Sequence, residues 1–231
     1  MQSTAPTKTS VMYLDPHTGW GRYFDFAAPC PDDVSLGAIA KGLESLVRFH
    51  GQTTRPITVA EHCMRVARFA RRLAELDHSG PVSDVAYLAG LRHDDHEALV
   101  PWGDCLSPGK TEDMRVTEAW VSEVILEKMA RQAGLSPLMV RAIEDCSGLV
   151  HVADKVALYF ETMLWQPGAS AWAGEVLEST RLDPMMVHRE LLPLVWPVPH
   201  ETWILRLFSS LATCAAIDSA ASSVAARLGA G

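Results

Sequence analysis

Chemistry-bearing residues cluster in one short run of this chain, Leu91-Arg92-His93-Asp94-Asp95-His96-Glu97, around a histidine–aspartate doublet. A second histidine, His62, lies 31 residues before His93, and a single aspartate, Asp154, lies 60 residues after Asp94. Two imidazoles and two carboxylates make a mixed nitrogen and oxygen donor set that suits a divalent first-row ion. An ion so held can activate water for hydrolysis. Taken singly, each residue has an ordinary alternative. His62 on an apolar helix face reads equally as a satisfied core or capping histidine. Asp154 lies in line with Val150, Ala157 and Phe160, so its carboxylate must be paired, and the partner is either a metal or a basic side chain.

The elements that must position these residues are read from the 3.6-residue apolar period, which dominates from Ser35 onward. Ser35 is placed to cap a helix running to about Phe49, with Ile39, Leu43, Leu46 and Val47 inward. Thr58-Val59-Ala60-Glu61 fits a capping box, which starts the next helix with His62 in its first turn. In that helix Val66, Phe69 and Leu73 face inward, and Arg65, Arg68, Arg71 and Arg72 mostly face water. Gly80-Pro81 breaks the chain, and Ser83 is expected to cap the helix that carries the doublet. Pro101, Gly103 and Ser107-Pro108-Gly109 mark a loop over 100–111. Helices are expected over 112–133, 136–145 and 149–165. A further helical stretch, a proline-rich segment and an Ala/Ser-rich final helix follow. Before the helices, residues 1–10 read as a flexible tail, and 11–34 as a short strand or hairpin. The fold class is all-α.

Bulk properties narrow the function classes. The chain has 231 residues, 48% of them apolar and 21% charged, as expected of a folded globular protein. The net charge of −8 and the lack of a dense basic tract argue against duplex nucleic acid as a partner. Five dispersed cysteines without a C-x-x-C pair read as reduced thiols. The polar N-terminus lacks a signal-peptide core, and the most apolar stretch, Trp203–Ala216, is interrupted by Arg206 and small polar residues. A cytoplasmic protein with no membrane partner is the resulting expectation, and the apolar final helix leaves a homo-oligomer open beside a core role.

The order His62, His93-Asp94, Asp154 on successive helices resembles the H…HD…D signature of HD-domain phosphohydrolases, in particular the bacterial 5′-deoxynucleotidase and nucleotide phosphohydrolase branch. Further segments are similar to that branch: Gly21-Arg22-Tyr23-Phe24-Asp25; Val47-Arg48-Phe49-His50-Gly51-Gln52-Thr53 against an R-F-x-G-H-T run, with His and Gln departing; and Thr58-Val59-Ala60-Glu61-His62. Glu97 falls as in H-D-x-x-E, and Gly103-Asp104 with Pro108 and Lys110 matches G-D-x-x-x-P-x-K. The stretch between Glu97 and Gly103 is about two residues longer than usual, with Pro101-Trp102 as the insertion. The resemblance covers roughly residues 11–165 as an HD domain, leaving 166–231 as a helical extension on the same domain.

That resemblance implies one divalent ion (Co, Mn, Zn, Fe or Mg) on His62, His93, Asp94 and Asp154, with Glu97 and Asp104 as catalytic residues. It also implies a small nucleotide substrate, with a 5′-monophosphate hydrolysed to nucleoside and phosphate. Arg48 is expected to clamp the phosphate, since guanidinium matches it with paired hydrogen bonds. Lys110, Lys155, Arg22 and Trp20 are further substrate candidates, each with a surface or core alternative. His96 and His151 are expected beside the ligands rather than among them. A deoxynucleoside triphosphate substrate and a non-catalytic nucleotide sensor are the rival readings.

Overall fold

The computed structural model describes residues 10–14, 19, 21–77, 80–105, 107–166, 168–197 and 201–228. Ser10–Leu14 (β1) and Gly21–Asp25 (β2) form an antiparallel hairpin in which Ser10 pairs with Asp25 and Leu14 with Gly21. The longer elements that follow are all helices. The helices are Leu36–Ser45 (α1), Val59–Leu76 (α2), Gly80–Arg92 (α3), Glu112–Ala133 (α4), Pro137–Asp145 (α5), Ser147–Trp165 (α6), Ser170–Ser179 (α7), Pro184–Leu191 (α8) and Trp203–Leu228 (α9). The protein is all-α, as the periodicity predicts.

Hydroxyl caps start four helices, two of them, at Ser35 and Thr58, where the sequence reading placed them. The side chains of Ser35, Thr58, Thr111 and Ser136 accept from Ala38, Glu61, Met114 and Met139 N–H, satisfying donors that a helix start leaves free. The capping box at Thr58 is only half formed. Glu61 does not reach back to the cap; its carboxylate accepts instead from Arg55, at 2.8 Å on Oε2, and from Arg65, at 2.7 Å on Oε1.

Three boundaries differ from expectation. The first helix ends at Ser45, not Phe49, because Leu46 and Val47 turn extended: Val47 bridges Thr58, and Arg48 N–H donates to Ile57 O at 2.8 Å. Helix α3 begins at Gly80, so Pro81 stands in its first turn, where a missing N–H costs little, and Ser83 does not cap it. Helix α3 ends at Arg92, so the His93-Asp94 doublet lies on the turn that follows, leading into a 3-10 turn over Asp95–Ala98.

The central layer is α2 packed along α3 and α6. Val66, Phe69 and Ala70 of α2, Leu88 and Leu91 of α3, and Val156 and Ala157 of α6 are fully buried there. The α2–α3 approach is close because Gly90 has no side chain; a Cβ there would stand 2.8 Å from the Ala67 Cα. Helix α9 is long and apolar enough to cross a membrane by length and composition over Trp203–Ser223, contrary to the expectation drawn from Trp203–Ala216. Its first turns nonetheless lie in the core, where Trp203, Leu207, Leu211 and Cys214 are buried and Trp203 Nε1 donates to Leu91 O at 2.7 Å.

Candidate metal centre

His62 enters from the first turn of α2, His93 and Asp94 from the turn after α3, and Asp154 from the middle of α6. Their donor atoms close into a ring. His62 Nε2 is 3.0 Å from Asp154 Oδ1 and 3.7 Å from Asp94 Oδ2. His93 Nε2 is 3.0 Å from Asp94 Oδ2 and 3.9 Å from Asp154 Oδ1. Ligand bonds of about 2.1 Å set neighbouring donors about 3.0 Å apart in an octahedral shell and about 3.4 Å apart in a tetrahedral one. His62, His93 and Asp94 lie close enough together to hold one ion, their donor atoms within 4.8 Å of one another, and Asp154 Oδ1 stands beside both imidazoles without joining that group.

The other ring nitrogens fix what these atoms are. His62 Nδ1 lies 2.8 Å from Glu161 Oε1, and His93 Nδ1 lies 2.9 Å from Gly90 O. Both partners are acceptors, so both Nδ1 atoms carry hydrogen. In neutral rings each Nε2 then points a lone pair at carboxylate oxygens, and a lone pair facing an anion needs a cation between them. His93 Nε2 is buried and makes no well-directed hydrogen bond despite its distance to Asp94. A histidine oriented by a carboxylate or carbonyl on its far nitrogen is the usual arrangement of a metal ligand. His62, His93 and Asp94 could hold a divalent ion, with Asp154 beside them.

Without metal, protons take over that role. Burial pulls both imidazoles toward the neutral form. The carboxylates of Glu161 and Asp154 nevertheless raise His62, and chiefly Asp94 holds His93 well above the ordinary histidine range. Asp94 in turn is held well below the carboxylate range, since His93 outweighs its burial.

Glu97 and Asp104 stand on one side of this ring. They line a cavity of about 430 Å³ with Leu46, His50 and Trp102. Burial first, then the charges of Asp94 and Asp104, push the Glu97 carboxyl up to about 9. On the other side His93 and Asp154 line a second cavity of about 420 Å³, with Ser122, Glu144, Ser147 and the exposed His151. Each is large enough for a small molecule.

Arg48 joins the ligands to Glu97 and Asp104. Its Nε donates to Glu161 Oε2 at 3.1 Å, and its Nη1 is 3.6 Å from Asp104 Oδ1 and 3.9 Å from Asp94 Oδ2. A left-handed turn holds it there: Phe49, His50 and Gly51 have φ of 55°, 51° and 72°. Two consecutive non-glycine residues in that region mark strain retained beside a site.

Other substrate candidates sit differently. Lys110 Nζ is bound by Glu118 at 2.9 Å, and the same carboxylate accepts from Trp102 Nε1 at 2.7 Å. Trp102 is thus pinned to α4, together with the lysine. Lys155 is half-buried next to Asp154 and makes no ion pair among the described residues. Arg22 donates to Asp32 O at 2.7 Å. Trp20 lies outside the described residues. His96 is buried behind Asp94, 3.8 Å from Glu118 Oε2.

Two residues escaped the sequence reading. Glu161 is fully buried and accepts from His62, Arg48 and Arg65 together. It stands seven residues after Asp154, two turns along the same face of α6, and that spacing was the available signal. Arg65, expected on the wet side of α2, is fully buried; it bonds Glu161, Glu61 and, at 2.9 Å, Val195 O.

The chain matches no known family model, and no curated protein matches it.

Proposed function

We propose that the protein is a metal-dependent phosphohydrolase of the HD-domain kind that cleaves the 5′-phosphate ester of a nucleoside monophosphate. The observation that carries this reading is the four-donor ring of His62, His93, Asp94 and Asp154, with both Nδ1 atoms tied back and Glu97, Asp104 and Arg48 at its rim. A divalent ion bound there supplies Lewis-acid polarisation of a phosphoryl oxygen and a more acidic water.

The chain's own groups supply the rest. Arg48 presents Nη1 toward the ring, where it can meet a phosphate oxygen while Glu161 fixes its Nε. Glu97 takes the proton of the attacking water as the phosphorus–oxygen ester bond breaks. Burial and the charges of Asp94 and Asp104 push its carboxyl up to about 9, and a dication held on the neighbouring ligands would favour the ionised form that serves as base. Asp104, across Arg48, is placed to serve the leaving 5′-oxygen. The cavity beside His93 and Asp154, lined by Ser122, Ser147 and His151, offers hydrogen-bonding room for a sugar and base.

Phosphate release from a panel of nucleoside mono- and triphosphates, with Mn, Co, Zn and Mg in turn, tests the reading. Orthophosphate from monophosphates is expected. Asp94→Ala should lose both metal and activity. Glu97→Ala should keep an ion on the four ligands while turnover falls by roughly 10²–10⁴-fold. Release of intact triphosphate, turnover with no metal, or full activity in Asp94→Ala would overturn it.

A further inference from the structure

Of the cavities beside the ring, the one walled by α3, α4, α5 and α6 holds polar groups that the hydrolysis does not use. His93 and Asp154 line it, and His93 Nε2 is buried without a hydrogen-bond partner. Ala89, Leu126, Ile143 and Val150, all buried, give the same cavity apolar surface. A flat, weakly polar ring is what such a surface accepts. Glu123 from α4 and Glu144 from α5 also line it, and both are exposed.

The strong donor of this cavity is already engaged. Arg92 Nη2 donates to Ser122 O and to Ser122 Oγ, both at 2.7 Å. The Ser122 hydroxyl donates in turn to Asp95 Oδ1 at 3.1 Å. Glu123 and Glu144, by contrast, make no hydrogen bond or ion pair among the described residues, so their oxygens are open to a ligand. An ionised carboxylate only accepts hydrogen bonds. An exocyclic amino group on a nucleobase offers two N–H donors, one for each carboxylate. Its oxo counterpart offers a single ring N–H beside a carbonyl oxygen that both anions repel. Adenine and hypoxanthine differ in this way, and so do cytosine and uracil, while each pair keeps one shape.

We propose that Glu123 and Glu144 read the base of the substrate and select nucleotides whose base carries an exocyclic amino group. The inference rests on the proposed hydrolase, whose substrate class it narrows. Ser147 and His151 line the same cavity and can both donate and accept, which suits them to the sugar hydroxyls.

The test compares kcat/KM for adenosine against inosine monophosphate, and for cytidine against uridine monophosphate, on the Mn²⁺-loaded full chain. The amino member of each pair should lead by at least about 5-fold, the low end for one base contact, since both carboxylates meet solvent. A glutamine amide donates as well as accepts, so the double variant Glu123→Gln, Glu144→Gln should bring both ratios close to one. Equal kcat/KM within each pair, or ratios that survive in the double variant, overturns the base reading. Phosphate released at equal rates within each pair sinks that reading alone and leaves the hydrolase standing. If no nucleotide releases phosphate, the hydrolase reading fails, and nucleoside binding decides the rest. Ligand-observed NMR on the chelator-treated full chain should then show adenosine bound more tightly than inosine, and equal binding overturns the selection.

Discussion

Glu161 carries more of the site than any single ligand does. It fixes the His62 tautomer, anchors Arg48 and neutralises Arg65 from a fully buried position. Burial alone would raise its pKa, but His62, Arg48 and Arg65 together hold it well below the carboxylate range. Glu161→Gln keeps the shape and removes the charge. Metal affinity should fall by roughly 10–100-fold, as for other groups that orient a ligand from behind, and calorimetric titration with Zn²⁺ or Mn²⁺ would show it. Unchanged affinity would mean that His62 needs no orienting partner. Glu97 makes the opposite prediction. Its folded-state pKa of about 9 lies above its unfolded value, so the folded state keeps a proton that the unfolded chain gives up. Stability from this group is therefore full below about pH 4.5 and is lost as pH rises toward 9. In chelator, Glu97→Gln should melt higher than wild type at pH 8.5, with the gap closing by pH 5. A constant gap across that range would refute the assignment.

At the scale of elements, the ring depends on how closely α2 and α3 approach. Gly90 permits contact with Ala67, and its carbonyl accepts from His93 Nδ1. Gly90→Val must push the two helices apart. Overpacking of this kind costs typically 1–3 kcal/mol, and because His62 rides on α2 and His93 on the turn that follows α3, metal affinity should fall as well. Thermal melts and metal titration of the variant check both. Much of this layer was legible in the sequence: the Thr58 hydroxyl marked the start of α2, though Ser83 did not mark that of α3, and the apolar period put Asp154 on the inner side of α6. The turn at Arg48 was not, since nothing in Phe49-His50 announces a left-handed backbone, which is set by the extended bridge from Val47 to Thr58. Arg65 also misled, because a helix face with four arginines looks wet until a buried carboxylate from α6 is known to meet one of them.

For the whole molecule, the described helices beyond residue 165 contribute side chains to the core. Ala173, Leu177, Val187, Leu191 and Trp203 join the same buried cluster as α2, α3 and α6. The sequence resemblance stops near 165, and nothing in the later sequence says where it docks; the contact is made by Trp203 Nε1 on Leu91 O and by Arg65 on Val195 O. Trp203→Ala should therefore cost about 3–5 kcal/mol and also weaken metal binding, because it loosens the end of α3 just ahead of His93. Chemical denaturation followed by fluorescence, with metal titration alongside, would test this. Lower stability with metal affinity intact would confine the tryptophan to packing.

The link from Arg65 to the Val195 carbonyl also bears on timing. During synthesis the residues of the ring appear in the order His62, His93-Asp94, Asp154, yet the arginine that steadies Glu161 behind His62 finds its last partner only when residue 195 has been made. At about 5–20 residues per second, several seconds separate the first ligand from that partner. A growing chain would thus display histidines and aspartates long before it can hold them in place.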